Sequence, residues 1–174
     1  MKRKNTVTLV TGGARSGKSS HALDLALKRE KRVFIATAEA ADPEMAARIE
    51  RHRSGRGDSF ETIEEPLDPA GALARLPAGT DAALIDCLTV WVGNLMHKYG
   101  KETPSCREIS DFLEAVRKPP CELVIVTNET GMGIVPANEA SRQYRDIAGR
   151  LNQDVATLAD RVVFTLSGIP VQIK

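Results

Sequence analysis

Residues 12–19 run Gly12-Gly13-Ala14-Arg15-Ser16-Gly17-Lys18-Ser19 and satisfy G-x-x-x-x-G-K-[ST] at every fixed position. Glycines at such spacing let the backbone curl so that successive N–H groups point at one anion, and a following helix adds positive potential at its N-terminus. Lys18 has the length and charge to reach the β- and γ-phosphates, and the Ser19 hydroxyl is an oxygen ligand of the kind Mg²⁺ takes. The loop is therefore expected to hold a nucleoside triphosphate. It does not by itself specify the reaction.

A second group of residues suits nucleophilic chemistry. His52 stands among Arg51, Arg53 and Arg56, with Ser54, Gly55 and Gly57 interleaved. Guanidiniums form an anion site, and cations disfavour protonation of a neighbouring imidazole, leaving a ring nitrogen able to attack phosphorus. Met45, Ile49 and His52 also share one helical face, so the same pattern fits a half-buried histidine at a helix end. His21 and His97 lack basic company and read as structural or surface residues. Two acids close apolar runs: Asp86 ends "AALID" and Glu129 ends "LVIVTNE". Asp86 can serve Mg²⁺ through water or border the nucleotide. Glu129 can belong to the site or fix its own loop.

These residues need a frame. Short apolar, β-branched runs at 6–11, 32–37, 82–86, 123–127 and 161–166 alternate with helical patterns. Continuous apolar runs suit strands buried on both faces, and the alternation predicts an α/β doubly wound, mostly parallel sheet flanked by helices. The spacing predicts helices from Lys18, from Asp42-Pro43, over 89–97, over 107–117 and over about 138–159; the last carries Tyr144, Ile147, Leu151, Val155 and Leu158 on one face. "SGIPVQIK" predicts a turn and a short final strand, and 54–70 and 100–105 read as irregular.

Composition narrows the partners. With 24 basic and 23 acidic side chains there is no electrostatic footprint for nucleic acid or an anionic membrane. The three cysteines, Cys87, Cys106 and Cys121, form no CxxC pair and read as reduced thiols, Cys87 buried. No apolar run reaches spanning length. The expectation is one soluble, cytoplasmic domain over residues 1–174. A GTPase would read its base with N-K-x-D, which is lacking, and "DPAG" and "DIAG" do not follow apolar strands. A small-molecule kinase, a nucleotidyltransferase and a non-catalytic nucleotide-binding regulator remain.

The blocks "TGGARSGKS", "DPEMAARIERHRSGR", "ETIEEP", "IDCLTVWVGNL" and "VTNETGMGIVPANEASRQYRDIAGRLNQDVATLAD" extend this reading. On them the chain resembles, nearly end to end, the bifunctional adenosylcobinamide kinase / adenosylcobinamide-phosphate guanylyltransferases of cobalamin biosynthesis. The resemblance implies a RecA-like P-loop fold, a homotrimer, and ATP or GTP with Mg²⁺ as phosphoryl source. It implies phosphorylation of adenosylcobinamide on its aminopropanol hydroxyl, then transfer of GMP from GTP to that phosphate through a guanylyl-histidine, giving adenosylcobinamide-GDP. By position it makes Gly12 to Ser19 the triphosphate loop and His52 the nucleophile. Ala36, Thr37 and Ala38 would line the nucleotide site, with Arg53, Ser54, Gly55, Arg56, Glu64 and Asp86 contacting GTP. The chain departs from some relatives in having Arg51-His52 where they have two histidines, and Phe60 where tryptophan is expected.

Carboxylates at Glu64 and Asp86 can accept from guanine's N1–H and amino group, which adenine cannot reciprocate. Replacing both by alanine should flatten discrimination between GTP and ATP in guanylylation, because a site built to hydrogen-bond one base rejects analogues that leave its groups unpaired. Competition assays with the two nucleotides would test this; unchanged GTP preference in the double variant would place guanine recognition elsewhere.

Overall fold

The structure, a computed structural model, describes residues 5–39 and 59–174. The strands are β1 (Val7–Gly12), β2 (Arg32–Ala36), β3 (Glu61–Glu64), β4 (Ala82–Asp86), β5 (Glu122–Val126), β6 (Arg161–Leu166) and β7 (Ile169–Gln172). They form one sheet in the order β3-β2-β4-β5-β1-β6-β7. All pairings are parallel except that of β6 with β7. The antiparallel hairpin puts β7 at the edge, where Pro170 costs no ladder bond.

The helices are α1 (Lys18–Ala26), α2 (Pro69–Ala74), α3 (Leu88–Tyr99), α4 (Arg107–Arg117) and α5 (Glu139–Leu158), with a 3₁₀ turn at Gly100–Ser105. Side chains alternate along each buried strand, so each face has its own core. On one face Val10, Phe34, Leu84, Val124 and Val126 pack with Ala22 and Ala26 of α1. On the other, Leu9, Ile35, Ile85 and Ile125 pack with residues of α2 to α5. The five apolar runs of the sequence are β1, β2, β4, β5 and β6, and the expected helices over 107–117 and 138–159 form within a residue of those bounds. Ile147, Leu151 and Val155 of α5 are buried, with Tyr144 and Leu158 packed beside them.

Residues 59–70, within the stretch whose composition reads as irregular, are ordered. "ETIE" becomes β3 because it pairs with β2 on a parallel edge, a contact no local pattern announces. The following helix α2 starts where Asp68 accepts from Gly71 N–H at 2.8 Å and Pro69 occupies the first turn. The helix expected from Asp42-Pro43 lies outside the described residues.

Trp91 anchors the larger core. Its ring is fully buried, meets Phe112 edge to face at 4.9 Å between centroids, and donates Nε1–H to the Leu67 carbonyl at 3.0 Å. That bond ties α3 to the segment entering α2. Trp91→Ala should cost about 3–5 kcal/mol, the range for deleting a buried aromatic. Urea unfolding of the two proteins measures it; a loss under about 1 kcal/mol would mean the core refills the space.

Candidate functional site

The glycine loop closes β1 and opens α1. Gly17, at φ 93°, is the N-cap; no side chain caps the helix and its first turn carries no acid. The positive end of the α1 dipole thus has neither a side-chain cap nor an acid in its own first turn, the arrangement that suits a bound phosphate. Arg15 at the loop tip also has positive φ, 55°. Lys18 is nearly buried and folds its Nζ back onto the Gly13 carbonyl at 3.1 Å. Gly13, Ala14 and Arg15 are exposed, and Ser19 is half-buried in the first turn.

Behind the loop stands the β6–β7 hairpin. Ser16 Oγ and Thr165 Oγ1 are hydrogen-bonded at 2.8 Å, Thr165 Oγ1 also donates to the Thr11 carbonyl at 3.2 Å, and Gly168 N–H donates to the Ser16 carbonyl at 2.9 Å. The fit leaves no room for side chains. A Cβ at Gly12 would lie 2.5 Å from the Thr165 carbonyl oxygen, and one at Gly17 would lie 3.1 Å from Gly168 Cα. No local pattern marks Thr165 and Gly168, since only the tertiary pairing of β1 with β6 brings them to the loop.

Glu64 and Asp86 come together around β2. Both are register partners of Ala36, one on β3 and the other on β4. Residues in register share a face, so both acids flank Ala36 at the carboxyl edge of the sheet, on the α1 side. Thr37 is fully buried, and its hydroxyl bridges Cys87 by donating to the carbonyl and accepting from N–H, each at 2.8 Å. It locks the ends of β2 and β4 together. Asn94 of α3 donates Nδ2–H to the Thr37 and Pro66 carbonyls at 2.8 and 3.0 Å. Ala38 follows directly in the same connection.

The Cys87 thiol next to Asp86 is pushed up chiefly by burial and further by the Asp86 charge, while Lys18 opposes that rise. A buried thiol so shifted is disfavoured as a nucleophile. All three cysteines are free thiols. Glu129 donates its backbone N–H to the Gly12 carbonyl at 3.1 Å, and its carboxylate accepts from Gly131 N–H at 2.7 Å, so its side chain shapes its own turn. No group of three or more His, Cys, Asp or Glu residues gathers among the described residues, so a metal here would draw most of its ligands from phosphates and water. The hard oxygens of Ser19 and Asp86 fit Mg²⁺ in that setting.

His52, Arg53, Ser54, Gly55 and Arg56, with Arg51, lie outside the described residues. The other expected residues, Gly12 to Ser19, Ala36 to Ala38, Glu64 and Asp86, all sit at the carboxyl ends of the parallel strands. Ligands bind there in open α/β sheets. No helix among the described residues is long and apolar enough to cross a membrane.

Comparison with known proteins agrees with this arrangement. Residues 8–173 match the model of the cobinamide kinase / cobinamide phosphate guanyltransferase family. The chain is 42% identical over 180 residues to the bifunctional adenosylcobalamin biosynthesis protein CobU of Escherichia coli (strain K12), covering 95% of this chain and 98% of that one. It is 42% identical over 167 residues to the bifunctional adenosylcobalamin biosynthesis protein CobP of Pseudomonas aeruginosa (strain PAO1), covering 95% and 96%. Among solved structures the RadB recombinase superposes with a TM-score of 0.50 at 16% identity, over 91% of this chain and 73% of that one, a likeness of fold. An uncapped helix behind a P-loop, acids at the carboxyl edge and a family match over almost the whole length converge on one conclusion: the chain belongs to the cobinamide kinase / cobinamide phosphate guanyltransferase family.

Proposed function

We propose that the chain phosphorylates adenosylcobinamide with ATP or GTP and then transfers GMP from GTP to the product, giving adenosylcobinamide-GDP. The observation that carries the kinase half is the α1 N-terminus, uncapped and free of acids, with Lys18 drawn into the loop before it. In that reading the loop N–H groups from Gly13 to Ser19 surround the β- and γ-phosphates. Lys18 swings from the Gly13 carbonyl to the γ-phosphate, where charge spreads in the transition state. Ser19, and Asp86 through water, would hold Mg²⁺, which would supply positive charge beside the departing phosphates.

For the second half, a ring nitrogen of His52 attacks the α-phosphorus of GTP. The N–P bond forms as the bond to the β-phosphate oxygen breaks, and pyrophosphate leaves with the electron pair. A phosphate oxygen of the corrinoid then attacks the same phosphorus and the N–P bond breaks. Arg53 and Arg56 neutralise charge on the oxygens in both steps. Glu64 and Asp86, flanking Ala36, accept from the guanine edge. Asp86 then has one task per half-reaction.

We further propose that the chain works as a homotrimer in the cytoplasm. Leu166, Ile169, Val171 and Ile173 of the β6–β7 edge are each about half to two-thirds exposed. An apolar sheet edge of that kind calls for cover. Sedimentation should give a trimer at micromolar concentration; a monomer there would remove this part of the proposal.

With Mg²⁺ and α-labelled GTP the protein should gain one guanylyl group per chain and release pyrophosphate. The bond should be acid-labile and alkali-stable, as a phosphoramidate is, because protonating the imidazole makes it a good leaving group. His52→Ala should lose the label and keep cobinamide phosphorylation. Lys18→Ala should slow that phosphorylation by about 10²-fold or more. Acid-stable label, label retained by His52→Ala, or a wild-type kinase rate in Lys18→Ala would overturn the corresponding step.

A further inference from the structure

Two buried side-chain oxygens among the described residues have no hydrogen-bond partner, Thr11 Oγ1 and Asn128 Oδ1. Both lie where β1 and β5 end. Thr11 opens, with Glu129 and Arg145, onto a groove on the α5 face of the sheet. Asn128 lies on the opposite face. The β1–β5 ladder continues past Val126, with Thr127 N–H donating to the Val10 carbonyl at 3.0 Å and Glu129 N–H to the Gly12 carbonyl at 3.1 Å. Side chains keep alternating through such pairing. Val124 and Val126 pack with Val10 and with Ala22 and Ala26 of α1. Asn128, two residues on, therefore falls on the α1 side, level with the first glycine of the loop.

Its backbone is held from behind. Thr127 Oγ1 and Asn152 Oδ1 of α5 are hydrogen-bonded at 2.8 Å, and Asn152 Nδ2–H donates to the Asn128 carbonyl at 3.1 Å. One α5 side chain thus grips two consecutive residues from one face of the sheet and fixes the Asn128 side chain on the other. The result is an acceptor oxygen, buried and unpaired, next to the nucleotide loop. Leaving such an acceptor unsatisfied costs about 1–3 kcal/mol, so it calls for a donor. A triphosphate supplies almost none at neutral pH, and the surrounding groups of the loop are donors suited to phosphate. The reaction must bring a donor close to the γ-phosphate, the hydroxyl that is to be phosphorylated.

We propose that Asn128 Oδ1 accepts the hydrogen bond of the substrate alcohol and aligns its oxygen on the γ-phosphorus, with Asn152 as the positioning residue. The inference rests on the kinase half of the function above. The alcohol oxygen forms its bond to γ-phosphorus, and the bond from γ-phosphorus to the β-phosphate oxygen breaks, its electron pair leaving on the nucleoside diphosphate. The hydroxyl proton passes to an oxygen of the transferred phosphoryl group and then to water. Asn128 orients the nucleophile and takes no proton.

The test measures cobinamide phosphorylation and nucleotide affinity on the full chain for Asn128→Ala and Asn128→Leu. In both, kcat/KM for cobinamide should fall about 10–100-fold, since loss of alignment in a bimolecular transfer costs on that order, while the Kd for ATP stays within about twofold, no nucleotide contact having been removed. Asn152→Ala should show a smaller loss in the same parameter, and the two alanine changes should combine less than additively, because one acts through the other. Wild-type kcat/KM in both Asn128 variants would overturn the proposal. So would a Kd for ATP rising in step with the kinetic loss, which would put Asn128 on the nucleotide. Where those changes prevent nucleotide binding altogether, Asn128→Ser, which keeps an acceptor oxygen, should still bind ATP within about twofold of the wild type and phosphorylate cobinamide with a lower kcat/KM; a Kd for ATP raised in that variant too would put Asn128 on the nucleotide and overturn the proposal. A wild-type chain that binds ATP and phosphorylates no cobinamide would instead remove the kinase function itself.

Discussion

The hydrogen bond between Ser16 Oγ and Thr165 Oγ1 joins residues 149 positions apart and braces the loop on which everything else depends. A glycine loop free in solution would sample many curls, and each frozen residue costs about 1–2 kcal/mol in backbone entropy. Here the ordering is done by folding, before any ligand arrives. The bond to Thr165, that from Gly168 N–H to Ser16, and the close approach of Thr165 to Gly12 fix the loop against the β6–β7 hairpin. That hairpin is the last part of the chain. The triphosphate site is complete only when both ends of the sequence lie side by side in one sheet.

The same sheet distributes functions by strand position and by face. β1 leads into the loop, and β5 beside it leads into Asn128 and Glu129. Further away β4 and β3 bring Asp86 and Glu64 to the two sides of Ala36. Parallel strands put all these ends on one edge, so a nucleotide can lie across them with its phosphates at β1 and its base toward β2. The second face is the supporting one. From it Asn94 secures the Thr37 segment and Asn152 secures the Asn128 segment. Two asparagines on two helices thereby hold two loops of the edge opposite.

Asp86 shows how one position on the sheet edge can suit two chemistries. It precedes Cys87, whose thiol feels both the Asp86 charge and that of Lys18. An acid so close to the loop can serve a metal while triphosphate chemistry proceeds. An acid in register with Glu64 can also read a purine edge. Both tasks can be met from the one position at the end of β4, with no change in the fold.

Much of this was legible locally. The motif from Gly12 to Ser19 names its residues because phosphate binding needs glycine backbone, a lysine and a hydroxyl at fixed spacing. Five of the strands showed as apolar runs because a strand buried on both faces has no polar side to display. α5 showed through the period of Ile147, Leu151 and Val155. Residue type and neighbourhood mark His52 and its arginines as candidates, and they lie outside the described residues. What the sequence could not indicate by itself was pairing. β3 is a polar four-residue stretch that becomes a strand only because β2 offers it an edge. Thr165 and Gly168 acquire a role only when β6 lies beside β1, and Asn94, Asn128 and Asn152 only when helices meet strands far from them in the chain. Local spacing determined which chemistry the chain carries; the non-local hydrogen bonds of the sheet decided which residues hold it in place, since such bonds leave no periodic trace in the residues that make them.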